Sequence, residues 1–219
     1  MPSVFPRLYV ILDAASIALP AAEMAEQLAS AGTELIQYRD KQASSLQIFE
    51  TCRELGLRLA KFPIRWIVND RADIAMLTGA GGVHVGQDDL PVEAARRVVG
   101  PDRWVGYSTH TPEQVRLADA TSADYIAFGP IFPTTTKQRA DPAVGIEGLR
   151  RARALTSKPL VAIGGIRLEN AEPLWAAGAD SLAVARDIVS RHDPPARARL
   201  YLELAARVAA EPGSPSADN

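Results

Sequence analysis

Short apolar runs alternate with segments of helical periodicity along most of this chain. The runs are rich in β-branched residues and are bounded by polar residues, Gly or Pro, a pattern typical of strands. Eight of them occur, at residues 8–12, 34–38, 65–69, 82–86, 103–107, 124–128, 159–163 and 181–185. Eight strands alternating with helices predict an α/β protein with a single (β/α)₈ TIM barrel. A doubly wound parallel sheet is the alternative, but it normally uses fewer strands at this length.

The segments between the strands carry apolar residues at the spacing of one helix face. In residues 20–32, Met24, Ala25 and Leu28 share a face, and the glutamates lie opposite. Similar patterns occur at residues 45–60, 91–99, 111–120, 145–155 and 168–178. Within residues 45–60, Cys52 is expected to fill the core beside Leu46 and Phe49.

Composition narrows the class of protein. The 219 residues are 47% hydrophobic and 23% charged with a net charge of −2, which is typical of globular domains and gives no basic excess for nucleic acid. We expect one barrel domain over residues 1–208 and a disordered tail over residues 209–219. Without a long apolar run, a signal-peptide pattern or a second cysteine, the sequence predicts a cytoplasmic protein that does not bind membranes.

Polar residues cluster just after the predicted strands. In a barrel these positions share the face that carries active sites. We therefore expect a common rim formed by Gln37, Arg39, Asp40, Lys41, Asn69, Asp70, Asp88, Asp89, Ser108, residues 134–137, Gly164 and Gly165.

The chemistry of this rim indicates an anionic ligand. Asp70 and Asp89 follow adjacent strands and could bind Mg²⁺ through carboxylate oxygens, although capping of helices is an equally good interpretation. Arg39, Lys41 and Lys137 would bring positive charge to the same face, as a phosphate ester requires. The glycine pair after the seventh strand would let backbone N–H groups approach an anion, and a simple turn is the alternative.

Six segments of the chain resemble thiamine phosphate synthases. They read QYRDK (37–41), VNDRADIA (68–75), GVHVGQDDLP (82–91), GYSTHT (106–111), DYIAFGPIFPTTTK (124–137) and VAIGGIRLENA (161–171). The resemblance implies a (β/α)₈ barrel that couples 4-amino-2-methyl-5-pyrimidinylmethyl diphosphate to hydroxyethylthiazole phosphate. Thiamine monophosphate and diphosphate would be the products, and Mg²⁺ the cofactor. The diphosphate would leave first, and the thiazole nitrogen would then attack the pyrimidinylmethyl cation.

The resemblance also implies a role for each matching residue. The pyrimidine diphosphate would contact Gln37, Tyr38, Arg39, Asp40, Lys41, Asn69, Ser108 and Lys137. Lys137, Ser108 and Arg39 would be catalytic, and Asp70 and Asp89 would hold Mg²⁺. The thiazole phosphate would contact Thr134, Thr135, Thr136, Gly165, Ala185 and Arg186.

One position departs from the family pattern. A serine usually follows the last strand, and here the residue is Arg186. Its guanidinium could bind the thiazole phosphate in a bidentate manner, or it could point to solvent beside Asp187. Of the histidines, His84 is expected inside the barrel, His110 at the rim or at the start of a helix, and His192 at the surface.

Two other functions stay open at this stage. A thiazole tautomerase shares this barrel, but its motif has Gly where this chain has Asp70 and a catalytic His where this chain has Pro130. A non-catalytic barrel that binds thiazole or thiamine phosphates is the other alternative. The partners expected are small-molecule substrates. A homo-oligomer is compatible with the sequence, but the helix faces are too alike to identify a dimer surface.

Overall fold

The computed structural model describes residues 5–134 and 142–210 of the chain. In these ranges it contains eight parallel strands: β1 (Leu8–Asp13), β2 (Leu35–Arg39), β3 (Arg65–Asn69), β4 (Gly82–Val85), β5 (Trp104–Thr109), β6 (Tyr125–Phe128), β7 (Leu160–Ile163) and β8 (Ser181–Val184). Each strand pairs with the next, and β8 pairs with β1 to close the barrel. The predicted (β/α)₈ barrel is confirmed. The doubly wound alternative is wrong, since such a sheet would leave two open edges.

Helices follow the strands around the outside of the barrel. Those in the described residues are α1 (Ala21–Ser30), α2 (Ser45–Leu59), α3 (Ala72–Thr78), α4 (Val92–Val99), α5 (Pro112–Asp119), α6 (Gly145–Arg153), α7 (Leu168–Ala176), α8 (Arg186–Val189) and α9 (Pro194–Ala210). The six helical segments expected from periodicity correspond to α1, α2, α4, α5, α6 and α7. Sequence periodicity did not reveal α3, α8 and α9. In α3, Met76 and Leu77 are exposed, so this short helix has no polar face to mark it.

Local hydrogen bonds and proline explain where two of the expected helices begin. The Ser44 side chain accepts from the backbone N–H of Gln47, and the Gln47 side chain accepts from the N–H of Ser44, so a capping box starts α2. In α5, Thr111 caps the helix and Pro112 occupies its first turn. The caps at Ser44 and Thr111 therefore mark the ends of the loops that follow β2 and β5.

Strand alternation divides the apolar residues into two clusters. One lies inside the barrel and includes Tyr9, Ile67, Tyr125 and Val161, whereas a larger cluster lies between the strands and the helices. Phe5 stacks on the ring of Trp104 within the inner cluster, with ring centroids 5.0 Å apart. The inner cluster fills the barrel below the carboxyl ends of the strands, where the polar residues lie.

The α2 prediction was right for one residue and wrong for another. Cys52 is fully buried, as expected, and burial raises the pKa of its thiol to about 12, so it is an unreactive core residue. Leu46, however, is 64% exposed. The buried face of α2 runs through Ile48, Cys52 and Leu55, because those positions share one side of a helix with a 3.6-residue period.

The end of the described chain bears on two further expectations. Helix α9 ends at Ala210, so it includes the first two residues of the segment expected as a tail, and the remainder of that segment lies outside the described residues. None of the helices in the described ranges combines the length and apolar character that a membrane crossing needs.

Candidate active site

A cavity of about 650 Å³ opens at the carboxyl ends of the strands. This volume is typical of small-molecule sites in proteins. The expected rim, metal and substrate-contact residues that line it are Gln37, Arg39, Lys41, Asn69, Asp70, Asp89, Ser108, Thr134, Gly164, Gly165, Ala185 and Arg186. Loops after β2, β3, β4, β6, β7 and β8 thus contribute to one cavity, as the rim hypothesis predicts.

Two expected rim residues, Asp40 and Asp88, and one expected substrate contact, Tyr38, lie outside the lining of this cavity. Tyr38 is buried on the outer side of β2 beside α1 and α2, because its strand neighbours Gln37 and Arg39 point inward and successive strand residues alternate. The Asp40 carboxylate instead accepts from the backbone N–H groups of residues 42 and 43, at 2.9 and 3.0 Å. Asp88 is exposed. The placement corrects the expectation that Tyr38 and Asp40 contact a ligand here.

Three further expected residues, Thr135, Thr136 and Lys137, lie outside the described residues. Their roles stay predictions from the sequence.

Two carboxylates meet at one side of the cavity. Asp70 follows β3, Asp89 follows β4, and the two carboxyl groups are close enough to perturb each other's pKa. The ammonium of Lys41 contacts the Asp70 carboxylate and lies 3.9 Å from Oδ1 of Asp89. Neither aspartate caps a helix, since α3 begins after Arg71 and α4 after Pro91. The capping interpretation of this pair is therefore excluded.

Burial and mutual repulsion perturb this pair. Burial, with the neighbouring Asp89 carboxylate, raises the pKa of Asp70 above its usual value. Burial also acts to raise the pKa of Asp89, but hydrogen bonds from Asp70 and from the N–H of Gly86, together with the charge of Lys41, lower it overall. Two carboxyl groups so close together form a site whose negative charge a bound cation would neutralise.

The backbone of Asp70 supports this arrangement. Its φ of 63° is in the left-handed region, which is uncommon for a residue other than glycine. Its N–H donates to the carbonyl oxygen of His84 on the neighbouring strand, with a distance of 2.8 Å. This bond ties the turn after β3 to β4 and so holds the Asp70 carboxylate beside Asp89.

The donor set of this pair suits Mg²⁺. Within residues 5–134 and 142–210, no group of three or more His, Cys, Asp or Glu side chains is placed to hold a metal ion. Mg²⁺ needs only one or two carboxylates from a protein when substrate phosphates and water supply its remaining ligands. Asp70 and Asp89 provide two, both on the cavity wall.

An ion pair that the sequence did not predict fixes Arg39. The Arg39 guanidinium donates to the carboxylate of Asp13, the last residue of β1. Asp13 is 4% exposed, and it also accepts from the N–H of Ala15 at 3.1 Å. The only sequence signal was the aspartate that ends the apolar run of β1. The pair holds the guanidinium at the cavity wall, where both residues lie.

A chain of hydrogen bonds crosses the interior beneath the cavity. It joins Gln37 Nε2 to the hydroxyl of Tyr9 (2.7 Å), Tyr9 to the hydroxyl of Tyr125 (2.9 Å), Tyr125 to His84 Nδ1 (3.0 Å) and His84 Nε2 to Ser108 Oγ (2.8 Å). The sequence analysis placed His84 correctly inside the barrel but did not identify Tyr9 or Tyr125. Both ends of the chain line the cavity.

Glycines shape the opposite side of the cavity. Gly164 and Gly165 follow β7 with φ values of 99° and 66°, conformations that other residues rarely adopt. A Cβ atom on Gly165 would lie 2.7 Å from both the Cβ of Phe132 and the carbonyl oxygen of Pro133. Position 165 therefore has room only for glycine. Thr134 lines the same cavity.

Arginines surround this glycine turn. Arg186 begins α8, is exposed and lines the cavity, together with Arg167 and Arg191, which the sequence analysis did not name. Asp187 is directed elsewhere: its carboxylate accepts from Arg191, from Arg197, from the Tyr201 hydroxyl (2.8 Å) and from the N–H of Leu168 (3.0 Å). The concern that Asp187 holds the Arg186 guanidinium away therefore has no support in these contacts.

His110 also belongs to the cavity wall. Its Nδ1 lies 2.6 Å from the carbonyl oxygen of Gly129. Because a carbonyl only accepts, this nitrogen carries the proton. The structure thus decides between the two expectations for His110 in favour of the rim, and His192 is exposed, as expected.

Comparisons with known proteins agree with this geometry. Residues 8–188 match the family described as thiamine monophosphate synthase. The chain is 49% identical to the thiamine-phosphate synthase of Koribacter versatilis over 91% of this chain and 95% of that protein. It is 44% identical to the thiamine-phosphate synthase of Chlorobium phaeovibrioides, over 87% and 89% of the two chains. A solved thiamine phosphate pyrophosphorylase from Pyrococcus furiosus superposes with a TM-score of 0.84 at 29% identity, covering 92% of this chain and 96% of that one.

Proposed function

Because this chain belongs to the thiamine monophosphate synthase family, we propose that it is a transferase of thiamine biosynthesis. It couples 4-amino-2-methyl-5-pyrimidinylmethyl diphosphate to hydroxyethylthiazole phosphate and releases diphosphate. The new bond joins the thiazole nitrogen to the pyrimidine methylene carbon, and the carbon–oxygen bond to diphosphate breaks. No proton needs to be removed, so the site requires charge stabilisation and alignment rather than a strong base.

One observation carries this proposal: a single cavity has two differently built sides for anions. Lys41 with Asp70 and Asp89 forms one side, and the Gly164–Gly165 turn with Arg186 forms the other. The first suits a metal-bound diphosphate and the second a phosphate ester. Two anionic substrates can therefore lie in one chamber with their reacting ends toward each other.

We assign Mg²⁺ to the acidic side. Asp70 and Asp89 would hold it, and two carboxylates on one cavity wall fit a cation that also takes oxygens from a diphosphate. When bound, Mg²⁺ supplies neutralising charge for the leaving diphosphate.

The basic and hydroxyl groups near this pair stabilise the leaving diphosphate. Lys41, already against Asp70, is within reach of a ligand bound there. Arg39, oriented by Asp13, adds a planar guanidinium, and Ser108 adds a hydroxyl. Resemblance assigns the same task to Lys137, which would gain interaction energy as negative charge grows on the departing group.

The remaining polar groups align the two organic rings. Gln37 and Asn69 line the cavity, and their amides can form hydrogen bonds to the amino-pyrimidine. The amino-pyrimidine itself stabilises the cation left when diphosphate departs. On the other side, backbone N–H groups at Gly165 and at residues 185–186, with Thr134 and Arg186, would hold the thiazole phosphate.

Product analysis tests the proposal. Purified protein with both substrates and Mg²⁺ should form thiamine monophosphate, detected by mass spectrometry, and omission of either substrate should abolish it. Conversion of a thiazole phosphate isomer without coupling would instead indicate a tautomerase. Tight binding of the phosphates without any product, from folded protein, would indicate a binding barrel. Either of these two outcomes would contradict the proposal. The presence of Asp70, at the position where the tautomerase motif has glycine, favours the synthase.

A further inference from the structure

The hydrogen-bonded chain inside the barrel joins two substrate-facing residues that are otherwise unconnected. Gln37 lies on β2 and Ser108 on β5, and the groups between them are Tyr9, Tyr125 and His84, from β1, β6 and β4. Tyr125 is the middle member and is fully buried. Unlike Gln37, Tyr9, His84 and Ser108, it does not line the cavity.

Gln37 sets the direction at one end of this hydrogen-bonded chain, because its amide nitrogen can only donate. The Gln37 amide donates to the oxygen of Tyr9. In the direction that continues from Gln37, Tyr9 donates its proton to Tyr125, and Tyr125 donates to Nδ1 of His84; the distances by themselves also allow the reverse. A neutral histidine whose Nδ1 accepts carries its proton on Nε2, which therefore donates to Ser108 Oγ. Because Ser108 Oγ accepts in that bond, its own hydroxyl proton is available to donate to a different acceptor.

We propose that Tyr125 is a positioning residue: through His84 it orients the Ser108 hydroxyl so that its proton is directed at an anionic oxygen in the cavity. The role of that oxygen as part of the leaving diphosphate rests on the proposed function. Tyr125 touches no substrate and acts only by fixing which nitrogen of His84 carries the proton. Ser108 would otherwise be able to donate to His84 instead of to the ligand.

Packing around Tyr125 supports this role. Gly106 lies beside it on β5, and a Cβ there would overlap with the Tyr125 ring, with its hydroxyl and with His84 Nδ1. The φ of Gly106 does not require glycine, so the glycine is explained by the space that the Tyr125–His84 contact needs. Burial raises the pKa of Tyr125 well above its usual value, so the hydroxyl keeps the proton that it donates to His84.

The energetics favour a fixed orientation. A buried hydroxyl or imidazole without a hydrogen-bond partner is destabilising, so the favoured arrangement satisfies every member of the chain at once. Reversing the Tyr125–His84 bond would also reverse the Tyr9–Tyr125 and His84–Ser108 bonds, and the Tyr9 oxygen would then accept from both Gln37 and Tyr125. An ordered donor at Ser108 follows from this coupled arrangement.

Nitrogen-15 NMR of labelled histidine tests the proposal directly. The chain has three histidines, and a His84→Gln variant assigns the signals. In the wild type we expect the His84 proton on Nε2. In Tyr125→Phe, Nδ1 loses its donor, so the signals should move toward a mixture of both tautomers. Inorganic pyrophosphate with saturating Mg²⁺, measured by calorimetry, should bind about tenfold more weakly, the scale of one hydrogen bond to a charged group.

Tyr201→Phe is the matched control. Tyr201 is also fully buried, and its substitution also removes a hydrogen-bonded hydroxyl. The partner of that hydroxyl is Asp187, which is not a member of the hydrogen-bonded chain from Gln37 to Ser108. It should leave the His84 signals and pyrophosphate affinity unchanged. If Tyr125→Phe does not fold, Tyr9→Phe removes the donor to Tyr125 and should shift both readouts in the same direction by a smaller amount.

Three results would overturn the proposal: a wild-type proton on Nδ1, unchanged readouts in the folded Tyr125→Phe variant, or equal weakening in Tyr201→Phe. None of these measurements requires turnover. Absence of product from the wild-type enzyme would contradict the proposed function and leave the His84 result interpretable.

Discussion

The carboxylate of Asp70 lies against that of Asp89 because their strands, β3 and β4, are neighbours in the closed barrel. Lys41, from the loop after β2, contacts the first and approaches the second. The ammonium partly offsets the repulsion between the carboxylates. A bound cation would do so more fully, and Lys41 could then turn to the diphosphate.

The first prediction concerns this pair. Asp70→Asn and Asp89→Asn should each lower kcat/KM by about a hundredfold or more, because each removes a negatively charged oxygen ligand from the cation. Thermal unfolding should change little, and the Mg²⁺ concentration for half-maximal activity should rise. Asp88→Asn is the matched control, since Asp88 is exposed and does not line the cavity. Near wild-type activity in either test variant would remove that residue from the metal site.

The second prediction concerns Asp13. In Asp13→Asn, the Arg39 guanidinium loses its charged partner at the cavity wall. The KM for the pyrimidine diphosphate should rise severalfold and that for the thiazole phosphate should stay nearly constant. Stability should fall by about 1–3 kcal/mol, as expected when a buried hydrogen bond to a charged group is weakened. Equal changes in both Michaelis constants would indicate a general loss of structure instead.

The third prediction, from the sequence, concerns Lys137. Its ammonium should favour the separated diphosphate over the intact ester, since negative charge increases as the bond breaks. Lys137→Ala should therefore lower the single-turnover rate more than it weakens binding of the pyrimidine diphosphate. Rapid quench with saturating substrate separates the two effects. An unchanged rate with weaker binding would show that the lysine only attracts substrate.

The fourth prediction concerns Arg186, which lines the cavity and stands where the family resemblance of the sequence would imply a serine. Arg186→Ser should raise the KM for thiazole phosphate about tenfold, because a guanidinium forms stronger hydrogen bonds to phosphate than a hydroxyl does. The KM for the pyrimidine diphosphate should stay the same. Arg199→Ser, at an exposed position on α9, is the control. Equal or tighter thiazole phosphate binding in Arg186→Ser would show that the arginine obstructs this side.

The fifth prediction links Asp187 to acid stability. Burial alone would raise its pKa, but hydrogen bonds from Arg191, Tyr201 and Arg197 lower it below the ordinary value of 3.8. A carboxylate with a lowered pKa stabilises the fold above its ordinary pKa, and this contribution is lost as pH falls through the folded-state value. Asp187→Asn should therefore lose about 3 kcal/mol of unfolding free energy at pH 7.

The difference between wild type and Asp187→Asn should narrow as pH falls below about 4. Urea titrations at several pH values provide the measurement. A difference that stays constant down to pH 2 would mean that the ionised carboxylate is not the source of the stability.

Local pattern was enough to predict the barrel and much of the rim. Strands at residues 8–12 and 65–69 are marked by β-branched runs, and polar residues directly after a strand must lie at its carboxyl end. Asp70, Asp89 and Gly165 could therefore be assigned to one cavity without coordinates. Local pattern failed where residues outside the segment determine burial. Leu46 is exposed because of the rotation of α2 about its own axis as it packs against the barrel.

By itself, the sequence determined the order of elements and the side of the barrel on which each loop lies, because both follow from spacing within about ten residues. Only the tertiary structure decided which polar groups pair. Tyr9 and Tyr125 are 116 positions apart and share a hydrogen bond at 2.9 Å, and Arg39 finds Asp13 across a strand pair. Such partners are set by strand register and by side-chain packing within the closed barrel, neither of which follows from the order of the elements.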